Sequence, residues 1–255
     1  MPARSLLTPI KTWIKAFLLP VPLLGFMGLP RYLLDWYRYA GKSGRNPGFM
    51  DSYPCLTDRV MATPFDPHYF FQGAWLARKV AQGKPARHMD IGSSVMTIAA
   101  LSGFVDTVFV DYRPLRVTLS GLECRAGNIT GLPFEDGSVE SLSCLHVIEH
   151  IGLGRYGDPL DPQGSLVAAR ELQRIVRGGG NLYLSTPVGR ERVCFNAHRV
   201  FAPESVVAMF DRMELVAFSF VDDAGNLVED STTQAAGVNE YACGLFHFRK
   251  LREAA

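Results

Sequence analysis

The sequence predicts an α/β fold in which a doubly wound, mostly parallel sheet ends in an antiparallel edge hairpin. Three observations carry this expectation. From residue 87 onward, short apolar runs alternate with stretches whose apolar residues recur at helical spacing. Alternation of that kind builds a parallel sheet with helices on both faces. The last two apolar runs, near 214–221 and 241–248, have only polar, turn-like residues between them, as an antiparallel pair allows.

Each element follows in order. Residues 66–80 carry Phe70, Ala74 and Ala77 at helical spacing, with Pro67 at an early position where its missing N–H is harmless. A strand ends at Asp90 and Ile91, a turn follows at Gly92, Ser93 and Ser94, and residues 95–101 read as a helix. Residues 107–110 form a second strand that ends at Asp111, residues 122–126 a third, and residues 139–147 a buried fourth. Residues 164–176 set Leu166, Ala169, Leu172 and Ile175 on one helix face, and the triplet Gly178, Gly179, Gly180 is expected to stop that helix. A fifth strand at 181–186 and a helix at 203–211 complete the alternation.

Composition agrees with a folded chain. Its 255 residues are 47% hydrophobic and 20% charged, an ordinary globular balance that excludes a disordered chain, a coiled coil or a fibre. The five cysteines are scattered with no C-x-x-C pair, against a disulfide scaffold or a cysteine zinc site. They fit a reducing, cytoplasmic compartment. Charge divides the chain into an extension, residues 1–50, at +6 and a main domain, residues 51–255, at −5. An acidic body is poorly suited to neutralising phosphates, so no nucleic-acid partner is expected. Oligomeric state is not legible.

The extension holds fifteen uncharged residues, 16–30, too few for a transmembrane helix of about 20. Pro20, Pro22, Gly25, Gly28 and Pro30 are expected to interrupt it. A signal peptide would need an A-x-A-like cleavage site, and none is seen. Two readings stand. Trp13, Phe17, Leu18 and Leu19 could enter a membrane surface while Lys11, Lys15, Arg31, Arg38 and Arg45 meet anionic head groups. Alternatively the segment packs on protein. Residues 41–48 read as a flexible joint.

The chemistry gathers where the parallel strands end. Gly92 lets the backbone turn sharply and approach a ligand, and the next helix offers free N–H groups. Nineteen residues on, Asp111 sits at the end of the second strand, where a carboxylate can accept both ribose hydroxyls of an adenosine. The plainer alternative is a tight turn beside an exposed acid. The turn after the first strand reads D-I-G-S-S and not G-x-G-x-x-G, so it does not provide the close pyrophosphate approach of a dinucleotide site, and no G-x-x-x-x-G-K-[ST] cradles a triphosphate. A phosphate-free adenosyl cofactor fits better, and S-adenosyl-L-methionine is the obvious one.

The motif order HMDIGSS (88–94), FVDYRP (109–114), GNITGLPFEDGSVESLSCLHVIEHI (127–151) and ARELQRIVRGGGNLYLSTP (169–187) resembles class I S-adenosylmethionine-dependent methyltransferases, which have a Rossmann-like sheet. YPCLTDR (53–59), FDPHYFFQ (65–72), HVIEHIGLGRYGDPLDP (146–162) and FNAHRVF (195–201) resemble one branch, domain of unknown function 268. The resemblance implies that Asp90, Gly92, Ser93 and Ser94 form the first cofactor loop, with Ser94 where glycine is usual. It implies that Asp111 holds the ribose, that Asn128 and Ile129 contact adenine, and that His146 faces the methionine part or the substrate. In such enzymes the helix carrying His68 and Tyr69 often covers the cofactor.

The loops beyond the strands are expected to meet the acceptor through Arg155, Tyr156, Asp158, Asn196 and Arg199, or else to use those side chains in fixing themselves. His150 and His198 are candidate bases for a hydroxyl acceptor, with Glu149 beside them. His146-x-x-Glu149-His150 also matches an inverted zinc-peptidase pattern. That pattern needs both histidines on one helix face, whereas here His146 ends a strand, so no metal site is expected. The family resemblance points to a small-molecule or sugar acceptor, as in surface-polysaccharide synthesis. The rival readings are a non-catalytic scaffold recruiting partners at a membrane and a nicotinamide enzyme; the missing glycine fingerprint counts against the second.

Overall fold

The computed structural model describes residues 24–45, 47–48, 52, 54–56 and 58–252. The chain divides into two compact units, Met1–Pro64 and Phe65–Ala255. No helix among the described residues is long and apolar enough to cross a membrane. All five cysteines are free thiols.

In the first unit, α1 spans Leu24–Ser43. It runs straight through Gly25, Gly28 and Pro30, which were expected to interrupt it, and through residues 41–43 of the expected joint. Pro30 forfeits one backbone hydrogen bond there. Nearby side-chain pairs on α1 include the edge-on rings of Tyr32 and Trp36, 5.8 Å apart, and Arg31 and Asp35, 3.9 Å apart. Leu33, Leu34 and Tyr37 are exposed between Arg31, Arg38 and Lys42. Trp13, Phe17, Leu18, Leu19 and the other calls on residues 1–23 lie outside the described residues.

The second unit opens with α2 (Pro67–Gly83), started by Asp66, whose side chain accepts the Tyr69 N–H. Then come β1 (Arg87–Ile91), α3 (Val95–Leu101), β2 (Asp106–Asp111), β3 (Leu122–Ala126) and β4 (Val139–Leu145). A single 3-10 turn, Ile148–His150, leads to α4 (Gly164–Ile175) and β5 (Val176–Val188). A small hairpin of β6 (Arg192–Cys194) and β7 (His198–Val200) precedes α5 (Pro203–Met209), β8 (Met213–Val221), β9 (Leu227–Val228), α6 (Thr233–Gly237) and β10 (Ala242–Lys250).

The eight-stranded sheet runs β3-β2-β1-β4-β5-β10-β8-β9. Pairs from β3 through β5 are parallel, and β10 lies antiparallel between β5 and β8. The expected hairpin pair is therefore present, but β9 rather than β8 or β10 forms the outer edge. One face buries Trp75, Leu76 and Val80 of α2 with Ile98 and Leu101 of α3. The other buries Ala168, Leu172 and Ile175 of α4 with Val206 and the Phe246 and Phe248 rings. Strand order reverses between β1 and β4, and ligand crevices in such sheets open at that point.

Three local expectations change. The glycine triplet does not end α4; the chain is already extended at Val176, and the glycines lie inside β5. A Cβ on Gly180 would stand 2.9 Å from the Glu140 carbonyl, so the close approach of β4 at a register shift explains the small residue. Strand β4 stops at Leu145 because His146 takes φ +54°, a left-handed conformation that breaks the pleat. The β6–β7 hairpin was not expected; it turns on Asn196, at φ +62°.

Candidate functional site

The parallel register sets Ile91 beside Val110, so the tips of β1 and β2 are neighbours. Gly92 follows at φ +70°, and its N–H donates to the Val110 carbonyl at 2.9 Å. A Cβ there would meet both Val147 methyls at 3.3 Å and Asp111 Oδ2 at 3.7 Å. Asp111 Oδ1 accepts the Arg113 N–H at 2.7 Å, while Oδ2 accepts no hydrogen bond among the described residues. Between these tips and the loop after β4 lies a cavity of about 440 Å³.

Of the residues singled out from the sequence, Gly92, Asp111, Asn128, Ile129, His146, His150, Tyr156 and Asp158 line this cavity. Asn128 turns its carboxamide oxygen back to Thr130, accepting from its N–H at 3.1 Å and its hydroxyl at 2.9 Å. Its amide nitrogen is what remains to meet a ligand. Tyr112, Arg113, Thr130 and Val147 also line the cavity, and the Arg113 guanidinium lies 4.7 Å from the centre of the Tyr156 ring. Sequence reasoning missed these four because their inward direction depends on the turns that carry them.

Asp90, Ser93 and Ser94 support the cavity instead of lining it. Asp90 is fully buried, accepts from Ser93 N–H at 3.0 Å and Ser93 Oγ at 2.7 Å, and also accepts from Ser143 Oγ. Ser93 Oγ in turn accepts the Leu145 N–H at 2.9 Å, tying the turn after β1 to β4. Burial pushes the Asp90 carboxyl up to about 6, against the pull of these hydrogen bonds. Behind it, His88 bridges Ser141 Oγ at 2.8 Å and Ser143 Oγ at 2.9 Å, and burial pushes this imidazole down to about 3. Ser94 is the residue preceding α3, so its extra bulk does not enter the cavity wall.

His146 Nδ1 lies 2.8 Å from Glu149 Oε1, and its Nε2 lies 3.3 Å from Cys243 Sγ. Burial alone would lower the His146 pKa; Cys243 and Glu149 outweigh it and raise it well above the ordinary value. Glu149 is fully buried, and burial would raise its pKa, but His146 holds it below the usual carboxylate range. Glu149 thus orients His146 from behind the cavity. His150 Nδ1 donates to the Ala197 carbonyl at 2.6 Å, and burial, partly offset by Glu149, lowers its pKa. His150 Nε2 lies 3.8 Å from the same Glu149 oxygen that His146 Nδ1 meets, but His146 follows β4 and His150 closes the 3-10 turn, so the two do not share a helix face. His198 stands behind His150, ring centres 6.5 Å apart, outside the cavity lining.

The loop candidates divide. Asp158 accepts backbone N–H groups of Gly152 at 2.7 Å and Tyr156 at 3.2 Å. Burial would push its carboxyl up, but these bonds hold it low. Asn196 reaches the Leu153 carbonyl at 3.5 Å, and Arg155 reaches the Ala197 carbonyl at 3.1 Å. Arg199 is only 8% exposed; it donates to Ile151 O at 2.7 Å and Ser165 Oγ at 3.0 Å, and reaches Asp161 O at 3.4 Å. The structure places Arg155, Asn196 and Arg199 outside the cavity lining, as fasteners of the loop, because β7 turns Arg199 inward under it.

Residues 136–244 match the family described as Caenorhabditis protein of unknown function, DUF268, a span of less than half the chain. Two curated proteins of Mycobacterium tuberculosis, each named "Probable S-adenosylmethionine-dependent methyltransferase" (MT3114 and Rv3030), are 32% identical over 132 residues. The match covers 52% of this chain, and the chain spans 39% of the length of these relatives. The solved N-methyltransferase NodS from Bradyrhizobium japonicum, in complex with S-adenosyl-L-homocysteine, is similar at TM-score 0.51 and 15% identity, over 77% of this chain and 91% of that one. The cyclase SpnF is similar at TM-score 0.50 and 12% identity, over 92% and 99%. The chain has the Rossmann-like fold of class I methyltransferases.

Proposed function

We propose that residues 65–252 bind S-adenosyl-L-methionine and transfer its methyl group to a small-molecule or sugar acceptor. The observation that carries the reading is Asp111 Oδ2, a carboxylate oxygen that accepts no hydrogen bond among the described residues, beside a turn that has no side chain at Gly92. The cavity volume lies within the roughly 300–1,000 Å³ of small-molecule sites. The names of the curated relatives and the ligand of NodS support the same cofactor.

In this reading Asp111 accepts the ribose hydroxyls, and the Asn128 amide nitrogen donates to a ring nitrogen of adenine. Ile91 and Ile129 supply apolar walls, and His146 faces the methionine part. The cofactor when bound supplies a sulfonium methyl that needs no further activation. The chain's task is then alignment and exclusion of water, and alignment can contribute about 7–11 kcal/mol. For a hydroxyl acceptor, His150 is the base. Its Nδ1 proton is held by Ala197 O, so the lone pair is on Nε2, and the lowered pKa keeps the ring neutral at pH 7. Tyr156 and Arg113 form the wall an acceptor would meet. A sugar suits such an aromatic and polar wall, as the family resemblance suggests.

Isothermal titration of the full chain with S-adenosyl-L-methionine tests the reading. Saturable binding to one site is expected; a folded protein that releases no heat would remove it. A second reading, a non-catalytic scaffold recruiting partners, is motivated by Ser94 standing where glycine is usual in such enzymes, and a shared fold does not by itself fix function. Turnover to S-adenosyl-L-homocysteine with any acceptor would eliminate that rival. The exposed Leu33, Leu34 and Tyr37, with Arg31, Arg38 and Lys42 alongside, support peripheral membrane contact through residues 1–50.

A further inference from the structure

His146, Cys243 and His68 come from three separate elements of the second unit. His146 follows β4, Cys243 lies in β10, and His68 is in the first turn of α2. One donor atom from each lies within 4.8 Å of the others. The pair His146 Nε2 and Cys243 Sγ is 3.3 Å apart. A tetrahedral zinc ion with Zn–S about 2.3 Å and Zn–N about 2.0–2.1 Å would hold such a pair roughly 3.5 Å apart. The separation therefore needs only a few tenths of an ångström of adjustment.

The surroundings meet the other requirements of a metal site. Glu149, on His146 Nδ1, reserves Nε2 for a ligand, the carboxylate–histidine arrangement that supports bound metals. Thr186 Oγ1 donates to the other Glu149 oxygen at 3.3 Å, so the supporting carboxylate is itself held. His68 stacks on His146, ring centres 5.7 Å apart, and its ring makes no hydrogen bond among the described residues. A second cavity, lined by His68, Tyr241 and the carboxylates Asp66, Asp222 and Asp223, gives a cation an approach of favourable charge.

We propose that His68, His146 and Cys243 form a binding site for a zinc-class divalent cation. Two imidazoles and a thiolate suit zinc or cobalt and not the oxygen-seeking magnesium or calcium. Binding displaces the proton shared between Cys243 Sγ and His146 Nε2, which leaves to solvent. Three protein ligands leave a fourth position, the pattern of catalytic rather than closed structural zinc sites. His146 also lines the larger cavity, so the fourth ligand would be water or an acceptor hydroxyl acidified by the metal. That last step rests on the methyl-transfer reading; binding of the cation does not.

The test uses the full chain stripped with a chelator and titrated with cobalt(II) in the absence of any adenosyl compound. One equivalent with an intense thiolate-to-cobalt charge-transfer band is expected, lost in C243S. No band in a folded wild type overturns the site, as does a band that persists in C243S and so comes from another cysteine. Because C243S alters a buried position, H68N gives a second arm: cobalt affinity is expected to fall at least tenfold with unchanged circular dichroism, and unchanged affinity overturns the proposal. Titration with S-adenosyl-L-methionine in parallel separates failure of the metal site from failure of the cofactor reading.

Discussion

Asp111 Oδ2 lies 3.7 Å from the point a Cβ would occupy on Gly92, across the tips of two adjacent parallel strands. An empty side-chain position and a carboxylate oxygen that accepts no hydrogen bond among the described residues thus share one corner of the cavity, and each can be tested alone.

Asp111→Ala should weaken S-adenosyl-L-methionine binding by about 10- to 150-fold, since hydrogen bonds to a charged group are worth about 1.5–3 kcal/mol. Thermal stability should change little, because the carboxylate bonds only one backbone N–H. Paired titration and melting curves check both halves; equal binding in the variant would remove Asp111 from the site.

Gly92→Ala should cost stability as well as affinity. A left-handed conformation at an ordinary residue costs about 1–2 kcal/mol, and the new methyl would press on Val147 at 3.3 Å. Urea unfolding measures the first effect and cofactor titration the second.

His88 and Asp90 should oppose each other as pH falls. The folded pKa of His88 is depressed to about 3 from 6.5, so its stabilisation is present above pH 6.5 and lost on acidification. That of Asp90 is raised to about 6 from 3.8, so its contribution is lost as pH rises through 6. Between pH 6.5 and 4, at 1.36 kcal/mol per unit, the His88 change amounts to about 3 kcal/mol and the Asp90 change to about 2 kcal/mol. Relative to wild type, D90N should therefore lose stability over that window and H88Q should gain it. Urea unfolding at a series of pH values gives the comparison, and parallel curves for all three proteins would refute it.

Arg199→Met should destabilise the fold by about 3 kcal/mol, because it strips a charged donor from buried carbonyl groups. Hydrogen exchange should quicken across residues 152–164. Cofactor affinity should fall less than in the Asp111 variant, since Arg199 does not line the cavity.

Deleting residues 1–50 should abolish association with anionic liposomes and leave cofactor binding intact. A flotation assay reads the first and calorimetry the second. Liposome association that survives the deletion would exclude the extension as an anchor.

The sequence by itself determined the alternation of strands and helices, and with it where Gly92 and Asp111 stand in the fold. Gly92 was legible as the turn after β1 and Asp111 as the end of β2, because the limits of both strands follow from local apolar spacing. Tertiary structure decided which polar side chains face the cavity. Arg199 and Asn196 read like acceptor contacts, yet a short hairpin turns them under the loop. The glycine triplet read like a helix stop, and only the carbonyl of a neighbouring strand explains it. His146 meets Cys243 across 97 residues of chain. Local periodicity carries no record of such a meeting, because it is the closing of the sheet that places β10 beside β5 and brings the thiol to the imidazole.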